Sequence, residues 1–134
     1  MLSKTPRFLT AKQVGRLYKT FIATLEPTQP ALLESAVQSP INIKHYTKED
    51  NLFVLAANLS TKIMMNHAFP DGNKRGALIA ADMFLKMNGY QLQRTPVEHG
   101  VKIEQAQVNV VTGVWSVEDL AKFYSSIATE MDDD

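Results

Sequence analysis

The stretch "NLFVLAANLSTKIMMNHAFPDGNKRGALIAADMFLKMNGY", Asn51 to Tyr90, decides the fold. Its two ends are apolar around most of a helical circumference, and a helix of that kind lies at the centre of a structure. Between them Pro70, Asp71, Gly72 and Asn73 carry strong turn propensity. Gly89 is a good C′ residue for the second run. The pattern predicts two buried helices joined by a short polar loop.

Working outward, the rest of the chain also reads as helical. In "LTAKQVGRLYKTFIATL", Val14, Leu17, Tyr18, Phe21, Ile22 and Leu25 recur at helical spacing. Thr10 with Gln13 fits a capping box, and Leu9 with Val14 a hydrophobic staple. "EPTQP" breaks that helix. A short helix is expected at "PALLESAVQ", with Pro30 in its first turn. "SPINIKHYT" then reads as a loop or a short extended piece, because Ile41 and Ile43 alternate with Asn42 and Lys44. Thr47 is placed to cap the next helix, with Lys48, Glu49 and Asp50 in its first turn.

Beyond Gly89, Thr95, Pro96 and Glu98 spell a helix start, and Val97, Val101, Val108 and Val111 form its expected buried stripe. Gly113 ends that helix. Ser116 caps a last one bearing Leu120, Phe123, Tyr124 and Ile127, with Trp115 as a staple. The fold class is all-α: a single domain over residues 1–134, built as a bundle of about six helices. A short β-hairpin flap is allowed at Ile41–Lys44.

Composition bounds the partners. The 134 residues suffice for a core without metals or disulfides. Fourteen basic and fourteen acidic residues cancel, which argues against a general affinity for nucleic acid or anionic membrane. There is no cysteine, so disulfide scaffolds, cysteine zinc sites and thiol nucleophiles are excluded together. The start "MLSKTPRFLT" lacks the apolar core of a secretory signal, and no apolar run reaches the roughly 18 residues of a membrane span. The expectation is a soluble, cytoplasmic protein, a monomer or small oligomer.

The loop itself carries chemistry. His67 closes the first central helix among apolar neighbours, surroundings that favour the neutral imidazole able to accept a proton from a hydroxyl. Phe69 reads as the anchor of the loop in the core. Gly72 allows close backbone approach to a ligand, and the free N–H groups of the following helix start form an anion site suited to phosphate. Lys74 and Arg75 add positive charge. Asp71 beside an anion site makes sense with a cation to hold, and one carboxylate plus substrate phosphates is the usual way to bind Mg²⁺. Base, metal carboxylate, anion nest and cations are the parts needed to transfer a phosphate-containing group. The alternative is an ordinary turn with a solvated Lys-Arg pair after it. A polar cluster between the two most apolar helices is hard to explain by packing.

Residues 67–75, His-Ala-Phe-Pro-Asp-Gly-Asn-Lys-Arg, resemble the signature His-Pro-Phe-x-(Asp/Glu)-Gly-Asn-(Gly/Lys)-Arg of the Fic/Doc family, most closely its death-on-curing (Doc) branch. "LLESAVQSPIN", "GALIAADMFLKMNGY" and "GVWSVEDLAKFY" extend the likeness over most of the chain. The resemblance implies a loop that binds ATP and Mg²⁺ and transfers part of the nucleotide to a protein hydroxyl. Carried over, His67 is the base, Asp71 holds Mg²⁺, and Gly72, Asn73, Lys74 and Arg75 hold phosphates. Phe69 anchors the loop, and Ile41, Asn42, Ile43 and Lys44 are the candidate flap that aligns the target.

Two departures bear on the reaction. Ala68 stands where the family usually has proline, a position that varies in the toxin branch. AMP-transferring members usually read Gly-Asn-Gly-Arg with a second arginine three residues on. Here Lys74 replaces the glycine and Leu78 the arginine, as in the Doc branch, whose members act as kinases that transfer the terminal phosphate. Their target class is elongation factor Tu, at a threonine hydroxyl. The family's inhibitory string, Ser/Thr-x-x-x-Glu-Gly/Asn, does not occur, so the resemblance implies a separate small antitoxin. AMP transfer and a non-catalytic binding module are the alternatives. Of the other polar residues, His45 and His99 read as surface groups without partners, and Asp82 as a buried hydrogen-bonding group. Lys62 faces either toward the site or away from it.

Overall fold

The computed structural model describes residues 5–95 and 98–131. Among them are six helices: α1 (Ala11–Phe21), α2 (Pro30–Thr47), α3 (Leu52–Asn66), α4 (Asn73–Met87), α5 (Gly100–Val111) and α6 (Val117–Ile127). A short antiparallel pair, β1 (Tyr90–Gln91) with β2 (Thr129–Glu130), ties the end of α4 to the end of α6. The all-α bundle expected from the periodicity is the observed one.

The centre is α3, packed against α2, α4 and α6. Its residues Leu55 to Ser60, Ile63 and Met64 are buried, as all-round apolarity requires. α4, its main partner, buries Ala77, Ala80 and Ala81, small residues that permit close helix packing, while the bare face of Gly76 turns to Tyr18 and Ile22. A polar bond deep in this core joins the Ser60 and Tyr124 hydroxyls at 2.8 Å, which satisfies both groups. The capping box at Thr10–Gln13 and the Ser116 cap form as the sequence indicated, and Asp119 completes a second box at Ser116.

The largest departure is α2. It runs unbroken through the region read as a flap, so Ile41, Asn42, Ile43 and Lys44 are helical. The expected hairpin is not formed there. Pro40 sits inside the helix, where it lacks an N–H and crowds the preceding turn. Yet Leu33, Ala36, Val37 and Pro40 make one buried helical stripe, with Ile43 packed on the core one turn further. Burial of that stripe against α3 outweighs the local cost of the proline. Asn42 is occupied by Gln38, whose side-chain amide donates to it at 3.0 Å, and Lys44 pairs with Asp50.

Smaller corrections follow the same logic. Thr47 ends α2 instead of capping α3. The cap of α3 is Asn51, whose side chain accepts from the Phe53 and Val54 N–H groups. α1 stops at Phe21, leaving Phe21 and Leu25 exposed. α5 starts at Gly100, and the Glu98 carboxylate accepts from Arg94 instead of from a helix start. The stripe of α5 is Ile103, Ala106, Gln107 and Val110, while Val101 is exposed and Val108 and Val111 are half-buried. Pro96 and Val97 lie outside the described residues.

Candidate active site

The loop between α3 and α4 is fixed from below by α1. The Phe69 ring is buried and stacks on Tyr18, with 3.9 Å between centroids and 7° between planes. The Tyr18 hydroxyl donates to the Asp71 carbonyl at 2.7 Å. The Asn73 side chain closes the loop from its other end, since its carbonyl accepts from the Phe69 N–H at 3.1 Å and its amide donates to the Phe69 carbonyl at 2.9 Å. Ala68 is fully buried, and its carbonyl accepts from the Gln29 N–H at 3.2 Å. The turn is thereby tied to buried side chains at both ends.

Gly72 has a structural reason to be glycine. It caps α4 at φ 70, where an L side chain is strained, and a Cβ there would stand 2.9 Å from Ile22 Cγ2. Its bare face therefore turns to α1. That contact is a second demand on Gly72, which also lines the cleft. The cap supplies no side-chain acceptor to α4, so the first-turn N–H groups depend on partners from outside the helix.

Those groups open into a cleft of about 1160 Å³. His67, Asp71, Gly72, Asn73, Lys74 and Arg75 all line it, so the structure brings together every site residue expected from the loop except the anchor Phe69, which lies in the core as expected. None of Ile41, Asn42, Ile43 and Lys44 lines it. His67, Asp71, Lys74 and Arg75 are exposed to solvent. The apolar neighbours of His67 in sequence, Met64, Ala68 and Phe69, point into the core and leave the imidazole outside it. The His67 backbone is left-handed, φ 50 and ψ 47, where this cap residue after α3 turns the chain into the loop.

Asp71 offers one carboxylate, whose Oδ1 already accepts from the Gly72 N–H at 2.8 Å. Among the described residues no group of three or more His, Asp and Glu side chains comes together. The donor set therefore suits a divalent ion whose shell is completed by phosphate oxygens and water, the usual arrangement for Mg²⁺. Asn73 is the residue whose expected part changes most. Its side chain braces the loop, so what it presents to a ligand is chiefly its backbone N–H at the start of α4.

No motif marks the opposite wall. α5 meets α4 where the buried Gln107 amide donates to the Lys74 carbonyl at 2.7 Å, and the cleft opens between the two helices from that point. Lys62 is exposed away from the cleft, resolving its direction. Asp82 is a hydrogen-bonding group as expected: Oδ1 accepts from the Leu92 N–H at 2.8 Å and Oδ2 pairs with Lys86 at 3.0 Å. His99 does have a neighbour, Glu98 at 3.9 Å, and His45 is exposed with its ring edge on Tyr46.

Residues 7–85 match the model of the Fic/DOC family. No curated protein shows a significant match to the chain. The matched segment runs from α1 through α4 and so contains the whole loop and both elements that fix it.

Proposed function

The chain belongs to the Fic/DOC family, whose members modify proteins with nucleotides, and from that premise we propose that it is a Doc-like kinase toxin. In this reading it takes ATP with Mg²⁺ and transfers the terminal phosphate to a threonine or serine hydroxyl of a translation factor of the elongation factor Tu class. His67 accepts the hydroxyl proton. The hydroxyl oxygen attacks the γ-phosphorus, the bond from that phosphorus to the β-phosphate oxygen breaks, and ADP leaves. Lys74, Arg75 and the N–H groups at the start of α4 hold the phosphates and offset the charge that develops on them. Asp71 would hold the metal ion, which would supply further charge neutralisation.

One observation carries the choice of phosphate. Lys74 stands exposed on the first turn of α4, and Leu78, one turn on, lines the same cleft. AMP transfer in the family relies on open backbone at the first position and an arginine clamp at the second. A lysine adds a point charge to the anion nest, and a leucine removes the clamp for a far phosphate. AMP transfer is the second reading, since the Gly72-Asn73 turn is common to both activities and does not separate them. A small antitoxin protein is the expected restraint on the enzyme.

The test is to incubate the protein with purified elongation factor Tu and ATP labelled at the α or the γ phosphate. Label from γ alone supports the kinase. Label from α contradicts it. No label from either, with folded protein, points to a binding module.

A further inference from the structure

α4 starts without the usual capping device. Gly72 offers it no side-chain acceptor, and among the described residues the N–H groups of Asn73, Lys74 and Arg75 make no hydrogen bond within the chain. A serine, threonine or asparagine at the cap would steady the first turn, but only by occupying the N–H of the second or third helical residue. Here those are the N–H groups of Lys74 and Arg75, and an anion site needs both free. A helix start left bare frays unless something else holds it. Bonds to its N–H groups are not available for that purpose. Bonds to its carbonyls are.

Gln107 supplies such a bond. It is the polar member of the buried stripe of α5, beside Ile103, Ala106 and Val110, and is 4% exposed. Its amide donates to the Lys74 carbonyl at 2.7 Å. α4 does not need that donor for its own sake, because in a regular helix the same carbonyl is served by the N–H four residues on, at Leu78. A buried amide costs free energy unless it is bonded, and a methionine or leucine would fill the stripe without that cost. What the glutamine adds is a fixed point on the first turn, on the side where it also lines the cleft. On the loop side, Tyr18 donates to the Asp71 carbonyl and Asn73 to the Phe69 carbonyl. The start of α4 is thus held from both sides through carbonyls, with its own first-turn donors left open.

We propose that Gln107 is a positioning residue: its bond to the Lys74 carbonyl takes the place of a helix cap and keeps the N–H groups of Asn73, Lys74 and Arg75 aligned and free for phosphate. The proposal rests on the phosphate-transfer reading of the same site. Gln107 acts through the first turn of α4 and needs no contact with the ligand. Without the bond, ordering that turn becomes part of the cost of binding, and affinity falls.

The experiment measures binding of inorganic tripolyphosphate with Mg²⁺ by calorimetry on the full chain, with folding checked by circular dichroism at the same temperature. Gln107→Met and, as an independent variant, Gln107→Leu keep an apolar side chain of similar size and remove the donor. Each should bind tripolyphosphate about fivefold more weakly than wild type, the scale of one hydrogen bond. Ser60→Ala is the control for general loss of stability. It breaks the buried bond to Tyr124, and neither residue lines the cleft. Its melting temperature should fall while its affinity stays within about twofold of wild type. Folded Gln107 variants that bind as tightly as wild type would overturn the clamp and leave the phosphate site standing. An equal loss of affinity in Ser60→Ala would overturn it too. Gln107 variants that do not fold would show that the bond supports the core and not the site, and would overturn it as well. Wild type that binds no tripolyphosphate would remove the phosphate reading itself, and the clamp with it.

Discussion

Tyr18 and Phe69 lie ring on ring, 3.9 Å between centroids, and the same tyrosine donates its hydroxyl to the Asp71 carbonyl at 2.7 Å. One side chain of α1 thus fixes two points of the loop, one on each side of Pro70. Tyr18→Phe keeps the stack and loses the bond, which should cost about 1 kcal/mol of stability. Transfer should fall by more than that stability loss implies, because a displacement of about 1 Å at a reacting group can cost on the order of a hundredfold. Thermal unfolding and kcat on the same variant check both parts. An unchanged kcat would show that the bond does not position the loop.

His67 combines a reactive side chain with a left-handed backbone, φ 50. An L residue in that region pays about 1–2 kcal/mol that glycine does not. His67→Ala should abolish transfer and leave stability near that of wild type. His67→Gly should abolish transfer and exceed the His67→Ala variant in stability by about 1 kcal/mol. Equal melting temperatures for the two variants would mean that the loop relaxes in solution and that the strain is not held.

Gly72 tests the contact with α1. Gly72→Ala meets both the φ 70 penalty and the 2.9 Å approach to Ile22 Cγ2. Together they should destabilise by about 2–3 kcal/mol. Adding Ile22→Ala removes the obstructing methyl, so the double variant should lose less than the two single losses combined. Strict additivity in denaturant titrations would rule the contact out as the cause.

The core has its own pH signature. Burial pushes the Tyr124 phenol up to about 12, against an ordinary value of 10.0, with the Ser60 hydrogen bond opposing the shift. A raised pKa means that the folded state holds the proton more tightly than the unfolded one. Its contribution is complete below pH 10 and is lost as the pH rises toward 12. Urea midpoints should therefore decline across that window. In Tyr124→Phe the decline should be smaller, and stability at neutral pH should be lower by about 1–2 kcal/mol, because the buried Ser60 hydroxyl loses its partner.

The sequence was most legible where one local rule and the global packing agree. All-round apolarity identified α3 and α4, and the capping boxes at Thr10 and Ser116 marked their helices. It misled at Ser39–Thr47, where a proline and alternating β-branched residues look like the end of a helix. The stripe Leu33, Val37, Pro40 and Ile43 overrides them through contacts with α3 that no local window contains. The site divides in the same way. His67, Asp71, Lys74 and Arg75 are contiguous and stood out at once. Tyr18, Gln107 and Ile103 come from helices remote in sequence, and only the folded chain puts them beside the loop. Gly72 and Asn73 were noticed for ligand binding, while their observed contacts are to α1 and to Phe69.

On the kinase reading, Lys74 and Leu78 set the cleft to transfer the terminal phosphate. The most direct measurement is the intact mass of elongation factor Tu after incubation with the protein, Mg²⁺ and unlabelled ATP, followed by peptide mapping. The account predicts a mass increment of one phosphate on a threonine or serine, with ADP as the co-product, and none with His67→Ala. An increment of one adenylate, with pyrophosphate as the co-product, would contradict it.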